Sequence, residues 1–317
     1  MKSAVIDVGS NSVLLTVGSW QNGETVFELE VSRVTALGEG VKQTGVLSEA
    51  AIERTMVAIV ELTGIAIAHG AEVVRAYATM AVRMAKNQAD FLDRCTESGV
   101  ECQVLSGESE AYFGFLAVAN DPMFSSSDTI TIIDPGGQST ELVTAAKVDG
   151  SWQTQFAKSF PVGTLAMLSE SLTNECATGP EILQASRKID DLLGLSYLPF
   201  TAGTVVTLGA TGTNLVSMRD RLQEWDPDAV HGASLDYEEV SKAVSWLSGL
   251  TIEERSKLIG MEPGREKTLH AGALILERFM FAVKTCECRV SVRGWRHAIL
   301  QQLLEQNEGV ASLTSNL

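Results

Sequence analysis

The sequence predicts an α/β fold made of two domains with the same order of elements. In each half an apolar run, an Asp, a Gly/Ser turn and a second apolar run follow one another, at residues 4–17 and again at residues 130–144. Strand and helix patterns then alternate, which is the order that produces α/β layers. The polar stretch Ser125-Ser126-Ser127-Asp128 separates the halves. We therefore expect one domain at 1–120 plus 299–317, with the final helix packing back on it, and a second domain at 121–298.

The first half is predicted to begin with strands over residues 1–34, with Asn22-Gly23 as a hairpin turn. A helix follows to about Ala68, with Ser48 as its N-cap and Gly70 as its stop. The remaining elements are a strand at 73–77, a helix at 81–94, a strand at 100–105 and a helix at 107–120. Each assignment rests on the spacing of the apolar residues.

The second half is predicted to have strands at 129–134, 140–147 and 152–160, a helix at 180–193, and a strand at 205–208 that enters a Gly/Thr-rich turn and a helix. Two further helices begin with the spacing of a capping box, Asp236 with Glu239 and Thr251 with Glu254. A long helix is expected from Pro263-Gly264 to about residue 283. A strand at 288–292 then leads into the last helix. Ligands of such folds bind at the strand ends, here expected between the halves.

Composition excludes several classes of protein. The net charge of -16 argues against binding to nucleic acid, which requires a basic surface. No apolar run reaches the roughly 18 residues of a membrane span, and the N-terminus enters a strand without a basic leader, so we expect a cytoplasmic protein with no membrane partner. Five cysteines without a CxxC pair and only four histidines give little support for a zinc site.

An anionic substrate would need positive charge concentrated in one place, because the chain as a whole is acidic. The candidate cations are Arg33, Arg83, Lys86, Arg265, Lys267, Arg293 and Arg296.

The two Asp-led turns are the candidate site for binding phosphate and a metal ion. Glycine lets the backbone approach a phosphate closely, and the Asp at each strand end can hold a metal ion beside that phosphate. A single such turn is more often only a hairpin with favourable turn residues. Two matched copies in one chain favour a phosphate site.

A water-activating base is expected at a strand-to-helix junction. The segment Ser106-Gly107-Glu108-Ser109-Glu110-Ala111 supplies two carboxylates there. Glu110 falls about one turn inside the predicted helix and is the preferred base. The alternative is that Glu108 and Glu110 only favour the helix N-terminus through its dipole.

These segments together resemble the exopolyphosphatase / guanosine pentaphosphate phosphohydrolase (Ppx/GppA) family. The resemblance spans nearly the whole chain. The segments that carry it are residues 7–12, Leu37-Gly38-Glu39-Gly40-Val41, residues 78–83, 106–111 and 134–142, Gly209-Ala210-Thr211-Gly212-Thr213, Pro263-Gly264-Arg265 and Arg293-Gly294-Trp295-Arg296.

The resemblance implies the two-domain actin-like ATPase fold of sugar kinases, Hsp70 and actin, related to ribonuclease H, with the active site in the cleft between the domains. It implies Glu110 as the catalytic base and Mg²⁺ as cofactor, with Mn²⁺ as the alternative. The metal ligands it implies are Asp7, Asp134 and Glu141. The phosphate-binding residues it implies are Gly9, Ser10, Asn11, Ser12, Arg83, Gly136, Gly137, Gln138, Ser139, Thr140, Gly212, Thr213 and Arg265.

Four positions depart from the family pattern: Pro135 and Gln138 in the second turn, Thr211 in the third, and Ala36 before Leu37-Gly38. Proline removes one N–H group and fixes φ, and Gln138 adds a side chain where a third glycine is usual. The longer relatives add a helical domain of the HD type, which this chain is expected to lack. The departures leave the catalytic carboxylates in place but bear on substrate preference.

The resemblance therefore implies an exopolyphosphatase that releases terminal orthophosphate from inorganic polyphosphate. A hydrolase of the 5′-phosphate of guanosine pentaphosphate (pppGpp) uses the same chemistry and is the first alternative. A kinase of the same fold and a low-turnover nucleotide-binding regulator remain as other classes. The sequence leaves a homodimer open.

Overall fold

The computed structural model describes residues 1–194 and 200–307. The chain divides into two compact units, one of Met1–Phe113 with the C-terminal segment that begins at Trp295, the other of Gly114–Gly294. The sequence placed these divisions at 120 and 298 instead. The first division falls inside a helix because the second half of that helix packs on the second unit: a Cβ on Gly114 would lie 3.3 Å from Ile132 Cδ1 and 3.4 Å from Leu208 Cδ1.

The first unit holds a five-stranded sheet and six helices within the described residues. Its elements are β1 Lys2–Val8, β2 Ser12–Gln21, β3 Glu24–Val34, α1 Val41–Thr44, α2 Glu49–Ala68, β4 Val73–Ala78, α3 Met80–Met84, α4 Gln88–Glu97, β5 Cys102–Val104, the first half of α5 Gly107–Ala119, and α13 Trp295–Asn307. The strand order is β3-β2-β1-β4-β5. Strands β1, β2 and β3 pair antiparallel, whereas β4 and β5 continue parallel to β1.

The second unit repeats this arrangement. Its elements are a 3₁₀ turn Pro122–Phe124, β6 Thr129–Pro135, β7 Thr140–Val148, β8 Ser151–Phe160, α6 Thr164–Glu170, α7 Gly179–Leu193, β9 Thr204–Thr207, α8 Gly209–Arg219, α9 Pro227–Val230, β10 Ser234–Asp236, α10 Tyr237–Ser248, α11 Ile252–Ser256, α12 Leu269–Ala282 and β11 Glu287–Val290. The strand order is β10-β11-β9-β6-β7-β8. The strands β8-β7-β6-β9-β11 therefore follow the order of the first sheet, and β10 adds one antiparallel edge strand. The prediction of two strand-led halves is confirmed.

Each unit has its own apolar core. In the first unit, Ile52, Ile59 and Leu62 form the buried face of α2 and pack with the apolar residues of β1 and β2. In the second unit α12 is buried along almost its whole length, and it packs with α7, α8 and α10. Among the described residues, no helix is long and apolar enough to cross a membrane.

Local signals in the sequence predict some helix boundaries correctly and others wrongly. Ser48 caps α2 by accepting from Ala51 N–H at 3.2 Å, and Thr251 caps α11, as predicted. The predicted helix at 81–94 is two helices, because Ala85 is extended and ends α3. The helix predicted from Pro263 begins only at Leu269, since Gly264 has φ +91° and interrupts any helix there.

Candidate active site

The two Asp-led turns close in the same way. Gly9 N–H donates to Ser12 O at 2.9 Å, and Gly136 N–H donates to Ser139 O at 2.8 Å. A Cβ on Gly9 would lie 2.8 Å from Ser12 O, and one on Gly136 would lie 2.9 Å from Ser139 O. Any larger residue would push these hydrogen bonds open. The same turn is therefore built twice, once in each unit.

The first turn is anchored mainly through its carbonyl groups. Ser10 O accepts from Gly38 N–H at 2.7 Å, and Asn11 O accepts from Thr35 N–H at 3.0 Å. The Ser10 hydroxyl accepts from Ala81 N–H at 3.2 Å, at the start of α3. These contacts leave the turn fixed by its surroundings, so the serine at position 10 has a structural role besides the predicted phosphate contact.

Two donors of the first turn stand without a protein partner. Asn11 Nδ2 and Ser12 Oγ are buried, and neither has a hydrogen-bond partner within residues 1–194 and 200–307. Unpaired buried donors are rare because desolvation without a partner is costly. An anionic oxygen would satisfy both. Asp7, also buried, lies at the end of β1, with its Oδ1 3.5 Å from the position of a Cβ on Gly9.

The second turn is held by the first turn of α6. Thr164 N–H donates to Gly136 O at 2.9 Å, and Leu165 N–H donates to Gly137 O at 2.8 Å. Thr140 donates its hydroxyl to Val162 O at 2.6 Å, so this predicted phosphate ligand is used within the fold. The other predicted ligands of this turn, Gln138 and Ser139, are buried.

The predicted base and a predicted phosphate ligand lie together. Arg83 Nη1 donates to Glu110 Oε2 and to Leu105 O, both at 2.5 Å. Glu110 is buried in the first turn of α5, whereas Glu108 is exposed. The guanidinium therefore fixes the carboxylate and connects it to the end of β5. Arg83 acts here as the partner of Glu110, which the sequence did not anticipate.

The predicted metal ligands of the second unit form a cross-strand pair. Asp134 on β6 lies directly opposite Glu141 on β7, so both side chains point to the same face of the sheet. Ser159 on β8 donates to Glu141 Oε1 at 2.6 Å. Asp134 Oδ1 lies beside the N-terminus of α8, 3.0 Å from the position of a Cβ on Gly209. Two carboxylates on one face are an all-oxygen donor set, which suits a hard divalent cation.

No group of three or more His, Cys, Asp or Glu residues that could hold a metal ion occurs in the part of the chain that the structure describes.

Ser159 is a supporting residue that the sequence reasoning missed. Ser159 on β8 lies opposite Glu141 on β7. The pairing of these strands shifts by one residue between Thr144 and Ala145, so counting outward from the Asp149-Gly150 turn does not identify Ser159 as the partner of Glu141.

The third Gly/Thr-rich turn serves packing. A Cβ on Gly212 would lie 2.6 Å from Thr207 Cγ2, so glycine allows α8 to approach β9 closely. Thr213 donates its hydroxyl to Ala210 O at 3.3 Å. Thr211, a departure from the family pattern, packs on α12 at Gly272, where a Cβ would overlap its hydroxyl. Neither Gly212 nor Thr213 needs a phosphate to explain its presence.

Arg265 is held in a polar network with α8. Its Nε lies 3.2 Å from Glu262 Oε2. Asn214 of α8 donates to the same carboxylate oxygen at 3.3 Å and accepts from Glu262 N–H at 2.9 Å. The loop that carries Arg265 is therefore tied to the helix that begins beside Asp134.

Comparison with known proteins identifies the family. The sequence profile of the Ppx/GppA phosphatase family matches residues 21–307. The chain belongs to the Ppx/GppA phosphatase family.

Relatives within the Ppx/GppA family align over most of the chain. Exopolyphosphatase 2 of Mycobacterium tuberculosis is 28% identical over 287 residues, which are 86% of this chain and 88% of that protein. Exopolyphosphatase 1 of Mycobacterium bovis is 28% identical over 323 residues, 100% of this chain and 92% of that protein. The crystal structure of the Aquifex aeolicus family member matches with a TM-score of 0.78 and 31% identity, over 97% of this chain and 99% of that one. The predicted two-domain, actin-like α/β fold class is confirmed.

Several cations that the sequence offered to an anionic substrate are used inside their own units. The pairs are Arg33 with Glu61, Arg293 with Asp121 and Arg296 with Glu30. Burial raises the pKa of Glu30, but the charge of Arg296 and a hydrogen bond from His297 outweigh burial and hold that pKa well below its ordinary value. In this Ppx/GppA chain Arg33 and Arg296 tie β3 to a helix, and Arg293 ties two loops together.

Proposed function

We propose that the protein is an exopolyphosphatase that releases orthophosphate from the end of inorganic polyphosphate. The observation that carries the proposal is the buried Glu110 carboxylate, held by Arg83 at 2.5 Å at the start of a helix. A base must keep a fixed position to accept a proton in the transition state. Buried and clamped, Glu110 fits that role, whereas the exposed Glu108 does not.

The reaction has one bond-forming and one bond-breaking event. The oxygen of water attacks the terminal phosphorus, the bridging P–O bond breaks, and the shortened polyphosphate leaves. Glu110 accepts the proton of the attacking water. Asn11 Nδ2 and Ser12 Oγ, buried donors with no hydrogen-bond partner among the described residues, would bind non-bridging phosphate oxygens. Fixed donors of this kind stabilise the charge that develops during phosphoryl transfer.

The family implies a divalent metal, and we propose Mg²⁺ held by Asp134, Glu141 and Asp7, with Mn²⁺ as the alternative. When bound, the ion would neutralise charge on the phosphate oxygens. The support is the facing pair of carboxylates on β6 and β7. Dialysis against EDTA should abolish phosphate release, and added Mg²⁺ should restore it. Full activity after chelation would contradict the metal assignment.

Two alternatives share this machinery. Hydrolysis of the 5′-phosphate of pppGpp needs the same base and the same phosphate donors, so geometry alone does not separate it from the proposal. A kinase would need an acceptor alcohol or carboxylate where water reacts. The carboxylate at Glu110 favours water, because it supplies a base for a nucleophile that must lose a proton.

The test is a panel of substrates. Phosphate release is measured with inorganic polyphosphate, pppGpp and ATP at equal concentration of terminal phosphate, with an enzyme-linked orthophosphate assay. We expect the highest kcat/KM with polyphosphate. A higher kcat/KM with pppGpp would identify pppGpp as the preferred substrate instead of polyphosphate. Binding of any of the three compounds without release of phosphate would indicate a regulator.

A further inference from the structure

A buried hydroxyl beside the first Asp-led turn lacks a partner. Thr35 is 4% exposed, and its Oγ1 has no hydrogen-bond partner within residues 1–194 and 200–307. The backbone groups of Thr35 are both used, since its N–H donates to Asn11 O at 3.0 Å and its O accepts from Arg54 Nε at 3.1 Å. A buried hydroxyl without a partner lowers stability, because it has lost water and gained no bond. A ligand at this position would supply the missing bond.

Thr35 stands directly opposite Asn11 of the first turn. The β2–β3 register pairs Ser12 with Val34, and the bond from Thr35 N–H to Asn11 O extends this register by one residue. Side chains of directly opposite residues lie on one face of the sheet, about 5 Å apart. The Thr35 hydroxyl therefore shares a face with Asn11 Nδ2, which is also buried and without a partner in the described part of the chain. Neither group bonds to the other, so one oxygen atom of a ligand would accept from both.

The loop after β3 holds Thr35 firmly against the turn. Ala36 N–H donates to the same oxygen, Asn11 O, at 2.9 Å, and Gly38 N–H donates to Ser10 O at 2.7 Å. Ala36 has φ +51°, a left-handed conformation that is unfavourable for a residue with a Cβ. Such strain persists only where the surroundings enforce it, and it is concentrated at ligand sites. The strained backbone keeps Thr35 in place before any ligand binds.

We propose that the Thr35 hydroxyl donates a hydrogen bond to the phosphate group bound at the first turn, as a third donor beside Asn11 Nδ2 and Ser12 Oγ. The inference rests on the proposed function, because it takes a phosphate group of the substrate as the missing partner. A hydroxyl has one proton to donate, so Thr35 binds one non-bridging phosphate oxygen. Hydrogen bonds to a charged acceptor are stronger than bonds between neutral groups. Three neutral donors thus help to hold a polyanion in a chain whose net charge is -16.

Thr35→Val tests the inference, because valine keeps the branched shape of threonine and lacks the hydroxyl. Without ligand, the variant should melt at or above the temperature of its reference, since a methyl group replaces an unpaired polar atom. Inorganic tripolyphosphate should bind it at least about tenfold more weakly, the loss expected for one hydrogen bond to a charged group. Thermal melting and isothermal titration calorimetry measure the two effects. Reference and variant both carry Glu110→Gln, so that little tripolyphosphate is hydrolysed during the titration.

Thr25→Val is the matched control. Thr25 lies on β3 opposite Trp20, and its Oγ1 is likewise buried without a hydrogen-bond partner among the described residues. It lies at the other end of the strand, roughly 33 Å from Thr35 at about 3.3 Å per residue. Removing its hydroxyl should leave the binding of tripolyphosphate unchanged. Thr35→Ser keeps a hydroxyl at position 35 and should bind tripolyphosphate within about twofold of the reference.

The binding measurement separates this inference from the proposed function. Weaker binding of tripolyphosphate by Thr35→Val, but not by Thr25→Val, supports the phosphate contact even if the wild type releases no phosphate, a result that would contradict only the proposed function. Equal affinity of Thr35→Val and its reference would overturn the inference, because the hydroxyl would then not touch the anion. A lower melting temperature of ligand-free Thr35→Val would also overturn it, since the hydroxyl would then have a partner within the chain.

Discussion

Two glutamates at the start of α5, two positions apart, have opposite surroundings. Glu110 is buried against Arg83, and Glu108 is exposed. Glu110→Gln keeps the shape of the side chain but removes the proton acceptor, so phosphate release should fall by roughly 10²–10⁴-fold. Glu108→Gln should remain near wild type in the same assay. Similar small losses in both variants would assign both residues to the helix N-terminus.

Arg83 distinguishes a positioning role from a substrate-binding role. Its Nη1 donates to both Glu110 and Leu105 O, and its Nη2 contacts Met80 Sδ at 3.2 Å, an arrangement of two nitrogens that the single nitrogen of lysine does not reproduce. Arg83→Lys should therefore lower kcat about tenfold and change KM by no more than about twofold, since the substrate contacts persist. Steady-state kinetics on short polyphosphate measure both. A raised KM with an unchanged kcat would instead show that Arg83 binds the phosphate, as predicted from the sequence.

At the scale of elements, the two glycine turns have no room for a side chain at Gly9 or Gly136. Gly136→Ala would place a Cβ 2.9 Å from Ser139 O and open the turn. A displacement of about 1 Å at a reacting centre costs on the order of 100-fold in rate, so we expect a loss of that size with the fold retained. Gly179→Ala is the control, because its Cβ would meet nothing within 4 Å. Circular dichroism and phosphate release are measured together; wild-type activity of Gly136→Ala would contradict the role of the turn.

The hairpin turns and some helix starts were predictable because their signals are local. The turns at Gly9 and Gly136 carry their glycines for reasons that lie within four residues, and Thr251 caps α11 through a contact three residues away. The break between α3 and α4 and the late start of α12 were not predictable from apolar spacing. They depend on single backbone conformations, at Ala85 and Gly264, that the apolar pattern does not record.

The carboxylates that pair with the arginines could also not be predicted from the sequence. Arg83 and Glu110 are 27 positions apart, and Arg296 and Glu30 are 266 apart. Such pairs form only when the sheet brings distant segments together. The family resemblance named Arg83 and Glu110 separately as site residues, but only the fold shows that one holds the other.

At the scale of the whole molecule, charge limits how polyphosphate is held. The chain has 24 basic and 40 acidic residues, and several arginines are already paired with carboxylates. An extended basic track for a long polyanion is therefore not expected, and each contact would weaken with salt. A gel time course on long polyphosphate should show gradual shortening of the whole population. Full-length chains that coexist with end product, without intermediates, would contradict this.

The central proposal is that the carboxylates of Glu110 and Asp134 are both needed for phosphate release. A double-mutant cycle tests it most directly. Phosphate release from short polyphosphate is measured for wild type, Glu110→Gln, Asp134→Asn and the double variant, after circular dichroism shows that all four are folded.

Residues that act as one catalytic unit have strongly non-additive effects. We predict that each single variant loses roughly 10²–10⁴-fold in kcat and that the double variant is no slower than the slower single variant. Wild-type activity in either single variant, or losses that multiply in the double variant, would contradict the claim.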